Sequence, residues 1–308
     1  MQSNSRILII GHNDSLENSL RNYFSSLKFS NVYTNTKSKL DVLSQSKVQK
    51  FFKDVRPEYV FLGSLRSGGI AVNQKYPAVF IYENLQAQNN IIHSAWQGKV
   101  KKLVYFGASC IYPKAAKQPI MEDSLYQGPM ETTSEAYSTS KLAGVKLCQM
   151  YRQQYGFNAI CVVPATLYGP GSDTNLETAH VMGSLIAKFH QGVAKGLKEV
   201  EVWGTGKPRR EFLYVDDFVD GVIFLMKNYN SGELVNLGVG SDVTIKYLAS
   251  VIAKVSGYKG KIVFDASKPD GTMRKLLDSS RVSRLGWKPK VKLEEGINKT
   301  YQWFKNLR

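Results

Sequence analysis

The chain of 308 residues is 43% hydrophobic and 21% charged, which is typical of a globular protein and excludes disordered and fibrous classes. Its 41 basic and 25 acidic residues give a formal net charge of +16, but the lysines are scattered instead of clustered in a tract. Nucleic-acid binding is therefore not expected, whereas an acidic small molecule would suit a basic cleft.

The first half of the chain alternates short β-branched runs with helical patterns. The runs predict strands at residues 6–10, 31–34, 59–62, 103–106 and 160–163. Apolar residues at helical spacing predict long helices at 77–96 and 135–155, and Ser46 is interpreted as the N-cap of a helix that stops before Pro57. Strands joined by crossover helices indicate an α/β fold with a doubly wound parallel sheet of Rossmann type.

From about Gly169 the pattern loosens, and glycines and prolines punctuate short segments before one last strand at 234–237. No internal repeat or low-complexity linker separates the two halves, so the second lobe is expected to interleave with the first. We expect two units. The dinucleotide-binding domain comprises residues 1–168 and 211–240, and the smaller α/β substrate-binding lobe comprises residues 169–210 and 241–308.

Targeting and cysteine patterns bear on the compartment. The first six residues lead directly into a strand without the basic and apolar segments of a signal peptide, and no apolar run could span a bilayer. Cys110, Cys148 and Cys161 have no paired spacing, so neither a disulfide framework nor a metal site is predicted. We expect a cytoplasmic protein without membrane association.

Tyr137 and Lys141 form a candidate catalytic pair. Four residues apart on a helix, they lie on one face, where an ammonium can depress the pKa of a phenol and prepare it to donate a proton to a ketone. The spacing alone is weak, since Tyr33 and Lys37 match it too. The later pair is favoured because it follows the fourth strand and opens a long helix.

Several longer motifs indicate a specific family. They are FGASCIYP at the fourth strand, NxxYPAxFIYxN from Asn73 to Asn84, AKQP, PxTLYGP from Pro164, VWGTGKPRREFLYVDD and FDASKPDGTMRKLLD. Together they resemble the GDP-L-fucose synthase family, of the extended short-chain dehydrogenase/reductase type, nearly end to end. The resemblance implies epimerisation of GDP-4-keto-6-deoxymannose at C3 and C5 and reduction at C4 with NADPH.

The resemblance also implies roles for individual residues. Tyr137 would donate the proton, with Lys141 as its partner and ribose ligand, and Cys110 and His180 would be the epimerisation acid/base pair beside Ser109. The GDP-sugar would be held by Lys188, Trp203, Arg210 and Asp270. The cofactor would be NADP, contacted by Gly11, His12, Asn13, Lys37, Lys39, Phe106, Gly107, Ala108, Lys141, Pro164, Ala165, Thr166, Leu167 and His180.

Purely structural roles are also open for the two residues of the epimerisation pair. Cys110 could be a small buried hydrophobic residue, and His180 a hydrogen-bonded surface histidine. Together, however, a thiol and an imidazole supply the base and the acid that epimerisation next to a ketone needs.

The nucleotide loop departs from the family pattern of three glycines. After Gly11, the second and third glycines are replaced by Asp14 and Glu17. Asp-x-x-Glu is a capping-box pattern, so we expect these carboxylates to occupy the backbone donors that should receive a pyrophosphate. This hypothesis predicts weak binding of NADPH. The alternative is that the loop is rerouted.

Two further departures concern the adenine and the keto oxygen. Ala108 stands where the family has a serine whose hydroxyl bonds the keto oxygen of the substrate. The neighbouring Ser109 should point to the opposite side of the extended segment. Losing such a donor typically costs about 2.7–4 kcal/mol of transition-state stabilisation. Ser44 replaces an aspartate near the adenine, whereas Lys37 and Lys39 favour a 2′-phosphate.

Three hypotheses follow. The protein is an NADP-dependent GDP-sugar epimerase/reductase, a protein that only epimerises, or a degenerate non-catalytic GDP-sugar-binding or partner subunit. Fold alone does not separate them. The resemblance also implies a homodimer paired through the long helices that carry Asn84 and Tyr137.

Overall fold

The computed structural model describes residues 1–11, 14–36, 38–268 and 270–307, with only the backbone of residues 14 and 15. Its strands are β1 (Ile7–Ile10), β2 (Val32–Thr34), β3 (Tyr59–Leu62), β4 (Lys102–Phe106), β5 (Ala159–Pro164), β6 (Thr166–Tyr168), β7 (Glu199–Trp203), β8 (Arg209–Arg210), β9 (Phe212–Tyr214), β10 (Val235–Leu237), β11 (Val243–Thr244), β12 (Lys261–Asp265) and β13 (Arg274–Lys275). Its helices are α1 (Asp14–Ser26), α2 (Gln45–Val55), α3 (Ile70–Lys75), α4 (Pro77–Gln97), α5 (Glu135–Tyr155), α6 (Val181–Ala194), α7 (Val215–Asn228), α8 (Ile245–Ser256), α9 (Ser280–Arg284) and α10 (Leu293–Asn306).

A six-stranded parallel sheet in the order β10-β5-β4-β3-β1-β2 forms the centre of the fold. Apart from the half-buried edge strand β2, its strands are buried on both faces, as expected where crossover helices cover a sheet. The order reverses between β1 and β3, and in sheets of this kind ligands bind at such a point, outside the carboxyl ends of the strands. The predicted doubly wound fold is confirmed.

Most predicted elements of the first half are confirmed, including α5 from its first to its last residue. The interpretation of Ser46 as an N-cap is wrong. Ser44 caps α2 instead, because its backbone is extended and its hydroxyl accepts a hydrogen bond from the Lys47 amide at 3.5 Å. Ser46 therefore lies inside the first turn of the helix.

Two hydrophobic clusters accompany the two parts of the chain. The larger surrounds the sheet, and the smaller lies between α6, α8 and α10. Leu277, Val282 and Trp287 join the larger cluster although they come from the last part of the chain. The division into domains therefore stays a proposal, and we infer that residues 277–287 belong with the sheet.

Short strand pairs build the second lobe: β6 with β9, β7 with β12, and β8 between β11 and β13. Through β8 and β13, the segment with Arg210 is bound to the segment with Lys275, which matters for the site below. Within the described part of the chain, no helix has the length and apolar character needed to cross a membrane.

Candidate active site

A buried tyrosine on β4 sets the position of α5. The Tyr105 hydroxyl donates to Gln88 Oε1 of α4 at 2.7 Å and lies 3.3 Å from the Lys141 carbonyl oxygen of α5. This approach requires Gly144, because a Cβ atom there would come within 2.2 Å of the Tyr105 oxygen. Gln88 Nε2 in turn donates to the Ser140 carbonyl at 2.8 Å. The rotation of α5 about its axis is thereby fixed against the sheet.

Lys141 is a buried lysine that packs over the Tyr105 ring. Its side chain is 1% exposed, its Nζ lies 4.1 Å from the centre of the Tyr105 ring, and it makes no hydrogen bond to any described residue. Burial lowers the pKa of Lys141 to about 7. Buried polar groups are nearly always satisfied, so an orphaned ammonium at the carboxyl edge of a Rossmann-type sheet fits a site for a polar ligand such as the ribose of a dinucleotide.

Tyr137 lies one turn before Lys141, and its hydroxyl is 2.9 Å from the Ser64 hydroxyl. The Phe80 ring packs edge-on against the tyrosine ring. Burial raises the pKa of Tyr137, the Cys110 thiol adds to this, and the Ser64 hydrogen bond opposes it. The expectation that Lys141 depresses the pKa of this phenol is therefore wrong for the ligand-free protein, because the ammonium faces Tyr105 instead.

Ser64 was not predicted as a site residue. It follows β3 after Gly63, so its position after a buried strand was the available signal. Asn84, 2% exposed, holds the turn that carries it: Asn84 Oδ1 accepts from the amides of Leu65 at 2.9 Å and Arg66 at 3.0 Å. The Asn84 amide also donates to the Arg66 carbonyl at 3.0 Å.

Cys110 lies in the 3₁₀ turn Ser109–Ile111 that follows β4. It is a free, half-buried thiol. The thiol influences the pKa values of Tyr137, Lys141 and Lys275, so it lies near these three side chains. The reading of Cys110 as a buried hydrophobic residue is not supported.

His180 is the N-cap residue of α6, and its surface is exposed. The surrounding protein lowers the pKa of His180 by desolvation, Asp173 opposes this and Lys275 adds to it. The loop before His180 is ordered by a hydrogen bond of 2.6 Å from Thr178 to Asp173, and the Gly69 amide donates to the Thr178 carbonyl at 3.1 Å.

Lys275 on β13 is the second residue that the sequence analysis missed. Burial lowers the pKa of Lys275, the Cys110 thiol opposes this and Arg210 adds to it. Its ammonium acts on both Cys110 and His180, which come from loops far apart in the sequence. It lies within the quoted motif FDASKPDGTMRKLLD, but nothing in the spacing distinguished it from its neighbours.

The predicted substrate residues fall into two groups. In the first, Lys188 donates to the Glu201 carbonyl at 3.0 Å, and its Nζ lies 5.4 Å from the centre of the Trp203 ring. Lys268 approaches the same ring at 5.5 Å. Trp203 is 60% exposed, which is unusual for a large aromatic side chain and leaves a face on which a base could stack.

In the second group, Arg210 Nη1 donates to the carbonyls of Thr272 at 2.5 Å and Arg209 at 2.8 Å. Burial lowers the pKa of Arg210, and Asp270 opposes this. The Asp270 carboxylate accepts from the amide and the hydroxyl of Thr205, at 2.9 and 2.7 Å. Asp270 therefore fixes the turn after Trp203 and also acts on Arg210.

Around the nucleotide loop, His12, Asn13, Lys37 and the Asp14 side chain lie outside the described residues. The Gly11 amide donates to Asn35 Oδ1 at 3.1 Å. Glu17 is 4% exposed and accepts a hydrogen bond from the Thr36 hydroxyl at the end of β2. The capping-box interpretation is wrong for Glu17, because its carboxylate turns towards β2 and not back to the helix start.

The remaining predicted cofactor residues follow the carboxyl ends of strands, except for Lys39, which is exposed beyond β2. Phe106 ends β4, and a Cβ atom on Gly107 would come within 3.0 Å of Val163, so the turn before Ala108 packs tightly on β5. Residues 164–167 run from β5 into β6, where the Ala165 amide donates to the Leu237 carbonyl at 2.9 Å.

A parallel sheet with a helical Tyr–Lys pair at its carboxyl edge, the lysine buried without a hydrogen-bond acceptor among the described residues, defines a dinucleotide-dependent enzyme of the short-chain dehydrogenase/reductase class. Residues 4–238 match the family described as "NAD dependent epimerase/dehydratase family", and the chain belongs to this family. It is 49% identical over 300 residues to the probable GDP-L-fucose synthase 1 of Oryza sativa subsp. japonica, covering 97% of this chain and 92% of that protein.

Two solved structures are similar over nearly their whole length. One is a GDP-6-OMe-4-keto-L-xylo-heptose reductase from C. jejuni, with a TM-score of 0.95 and 36% identity, covering 100% of this chain and 99% of that chain. The other is the GDP-mannoheptose C4 reductase MlghC from Campylobacter jejuni with NADP bound, with a TM-score of 0.91, 38% identity and 99% coverage of both chains.

We expect that burial of Lys141, a functional residue, lowers the free energy of unfolding of the protein. At neutral pH, Lys141→Met should unfold at a higher temperature than the wild type, because folding forces this amine to give up its charge. An unfolded lysine titrates near pH 10 and the folded one at about 7, so the penalty is complete below pH 7 and vanishes as the pH rises to about 10.

Calorimetric unfolding between pH 6 and pH 10 measures this difference. The advantage of the variant should shrink by an amount on the order of 4 kcal/mol as the pH rises. Lys146→Met, at an exposed position of the same helix, serves as the control and should show no such trend. A Lys141→Met protein that is less stable than the wild type at every pH would contradict the assignment.

Proposed function

We propose that the protein is an NADPH-dependent epimerase/reductase that converts GDP-4-keto-6-deoxymannose to GDP-L-fucose. The proposal rests on the α5 pair Tyr137 and Lys141, whose amine has no hydrogen-bond partner among the described residues. Cys110, His180 and Lys275 support it, because Lys275 is near enough to both other residues to interact with them electrostatically. The relatives named above, a GDP-L-fucose synthase and two GDP-sugar reductases, support the same substrate class.

Reduction at C4 uses the pair on α5. NADPH supplies the hydride to C4 when it is bound, and the Tyr137 hydroxyl gives its proton to the C4 oxygen, which becomes the new alcohol. Lys141 would bind the ribose of the cofactor. The depressed pKa of Lys141 suits this role, because ligand oxygens around the amine favour its charged form.

Epimerisation uses the thiol and the imidazole. The C4 ketone makes the hydrogens at C3 and C5 acidic, so one of these groups removes a proton to give an enolate, and the other returns a proton to the opposite face. Lys275 lies close to both and supplies positive charge beside the anion as it forms. No cofactor is consumed in this half of the reaction.

The second lobe binds the GDP moiety. We propose that Arg210 and Lys188 contact the diphosphate and that the exposed face of Trp203 stacks on the guanine. Asp270 shapes this pocket through Thr205. The clustering of basic side chains here accounts for part of the high positive charge that the sequence shows.

A homodimer remains a proposal drawn from the resemblance. It is supported by the outer faces of α4 and α5, which carry Tyr82, 64% exposed, and the exposed Met150 and Tyr155. The stacked pair Trp96–Tyr155 extends this apolar surface. A light-scattering mass of one chain at micromolar concentration would contradict it. The cytoplasmic location also stays a proposal from the sequence.

The GDP site predicts a thermal shift. Saturating GDP should raise the melting temperature of the wild type by several degrees, because a ligand that binds only the folded state stabilises it. Arg210→Ala should weaken GDP binding at least tenfold, which is the effect of losing one charge-assisted contact to phosphate. The control is Lys207→Ala, which removes an exposed positive charge three residues away and should leave the shift unchanged.

If GDP does not shift the melting temperature at all, or if Lys207→Ala removes the shift as fully as Arg210→Ala, the substrate assignment is wrong. Isothermal titration with GDP gives the two affinities directly.

The two half-reactions should be separable by substitution. In heavy water with GDP-4-keto-6-deoxymannose, deuterium is expected to enter the sugar at C3 and C5 without NADPH. Cys110→Ser should suppress this exchange, because it removes the base, whereas Tyr137→Phe should leave exchange within about twofold of the wild type and abolish NADPH consumption. NMR of the sugar and absorbance at the NADPH band measure the two rates.

Exchange that is lost in Tyr137→Phe, or reduction that survives in it, would show that the roles are wrongly divided. A GDP-4-keto-heptose is the second substrate to be assayed, because two of the similar structures act on heptoses. Absence of exchange and reduction on both sugars would favour the non-catalytic alternative.

A further inference from the structure

We propose that Ser64 is a positioning residue for the Tyr137 phenol and that its hydroxyl stabilises the phenolate formed when Tyr137 gives up its proton. The proposal rests on the function proposed above. It starts from the hydrogen bond of 2.9 Å that joins the two hydroxyls across 73 positions of the chain. Either oxygen can be the donor while both hydroxyls are neutral. Once Tyr137 is ionised, its oxygen only accepts, so Ser64 becomes the donor.

The sheet places the residues that follow β3, among them Ser64, next to those that follow β4, where Ala108 has no hydroxyl. Leu62 at the end of β3 pairs with Tyr105 near the end of β4, so the residues that follow these strands are neighbours at the carboxyl edge. On β4 this position is Ala108, which has no hydroxyl to offer, and its neighbour Ser109 begins the 3₁₀ turn. The hydroxyl beside the phenol therefore comes from the adjacent strand.

Ser64 is held in place before any ligand arrives. Its turn is fixed by Asn84, which is buried, accepts from two successive amides and donates to the Arg66 carbonyl. Asn84 is itself anchored by a bond of 2.9 Å to the Phe80 carbonyl, and the Phe80 ring packs on Tyr137. A donor fixed in advance is effective in catalysis because it does not need to reorganise when charge develops.

The influences on the pKa of Tyr137 also support this role of Ser64. The Cys110 thiol and burial both disfavour the phenolate of Tyr137, whereas the Ser64 hydrogen bond lowers the pKa of this phenol. Hydrogen bonds to a charged group contribute more than neutral ones. Ser64 therefore acts on the step in which Tyr137 carries charge and not on the removal of protons by Cys110 and His180.

The test measures reduction, exchange, cofactor affinity and melting temperature for a small set of variants. Ser64→Ala should lower kcat for reduction about tenfold, the size expected from one hydrogen bond to a charged group. The limb of the kcat/KM profile in which Tyr137 ionises should move to higher pH, because the phenolate has lost a donor. Deuterium exchange at C3 and C5 and the KM of the GDP-sugar should stay within about twofold.

Three further variants sharpen the result. Ser64→Thr keeps a hydroxyl and should retain most of the rate. Ala108→Ser, placed in the Ser64→Ala background, should restore reduction by returning a hydroxyl from the neighbouring strand. Ser67→Ala removes a hydroxyl from the same loop away from the phenol and is the control.

The proposal is overturned if Ser64→Ala reduces at the wild-type rate, or if reduction, exchange and melting temperature fall together without a change in the pH profile, which indicates a structural role. It is also overturned if only the affinity for NADPH falls, since Ser64 then serves the cofactor. If Tyr137→Phe abolishes reduction while Ser64→Ala does not, the function stands and this inference fails alone. If the wild type reduces no GDP-keto sugar, both fail.

Discussion

The arrangement of the site depends on the contact between the Tyr105 hydroxyl and Gly144. A side chain at residue 144 would overlap the tyrosine oxygen, so α5 can approach β4 closely only because glycine is there. The same hydroxyl bonds Gln88 and lies close to the Lys141 carbonyl, which ties α4 and α5 together beneath the cleft. One buried oxygen thus sets the register of the helix that carries both Tyr137 and Lys141.

This packing leaves a polar group in an unfavourable state. Lys141 is buried over the Tyr105 ring without a hydrogen-bond acceptor among the described residues, and its pKa falls to about 7. Active sites often carry such unsatisfied groups, because a ligand that satisfies them gains binding energy. The stability that is lost by burying Lys141 without an acceptor is recovered as binding free energy when a dinucleotide binds.

Much of the fold could be predicted because its strands are buried on both faces and appear as continuous β-branched runs. The Tyr137–Lys141 pair could be predicted too, since its geometry is local to one helix. The two-residue strands β8, β11 and β13 have no such pattern, because their pairing is decided by tertiary contacts.

Residues whose roles depend on distant partners were missed or misread. Ser64 and Lys275 gain their significance from Tyr137, Cys110 and His180, which are close only after folding. Glu17 looked like part of a capping box, but burial against β2 gives it Thr36 as a partner. The loss of a serine at residue 108 suggested a lost donor, whereas the structure places a hydroxyl beside the phenol from β3.

The central claim is that one cleft holds a single sugar between α5 and the segments with Cys110, His180 and Lys275. A crystal structure of the wild type with NADP and GDP-L-fucose tests it most directly. We expect the C4 hydroxyl of the sugar about 3 Å from the Tyr137 oxygen, the Lys141 amine on the ribose, and Cys110 and His180 on opposite faces of the sugar. A sugar ring that lies outside the cleft, or one with Cys110 and His180 on the same face, would contradict the account.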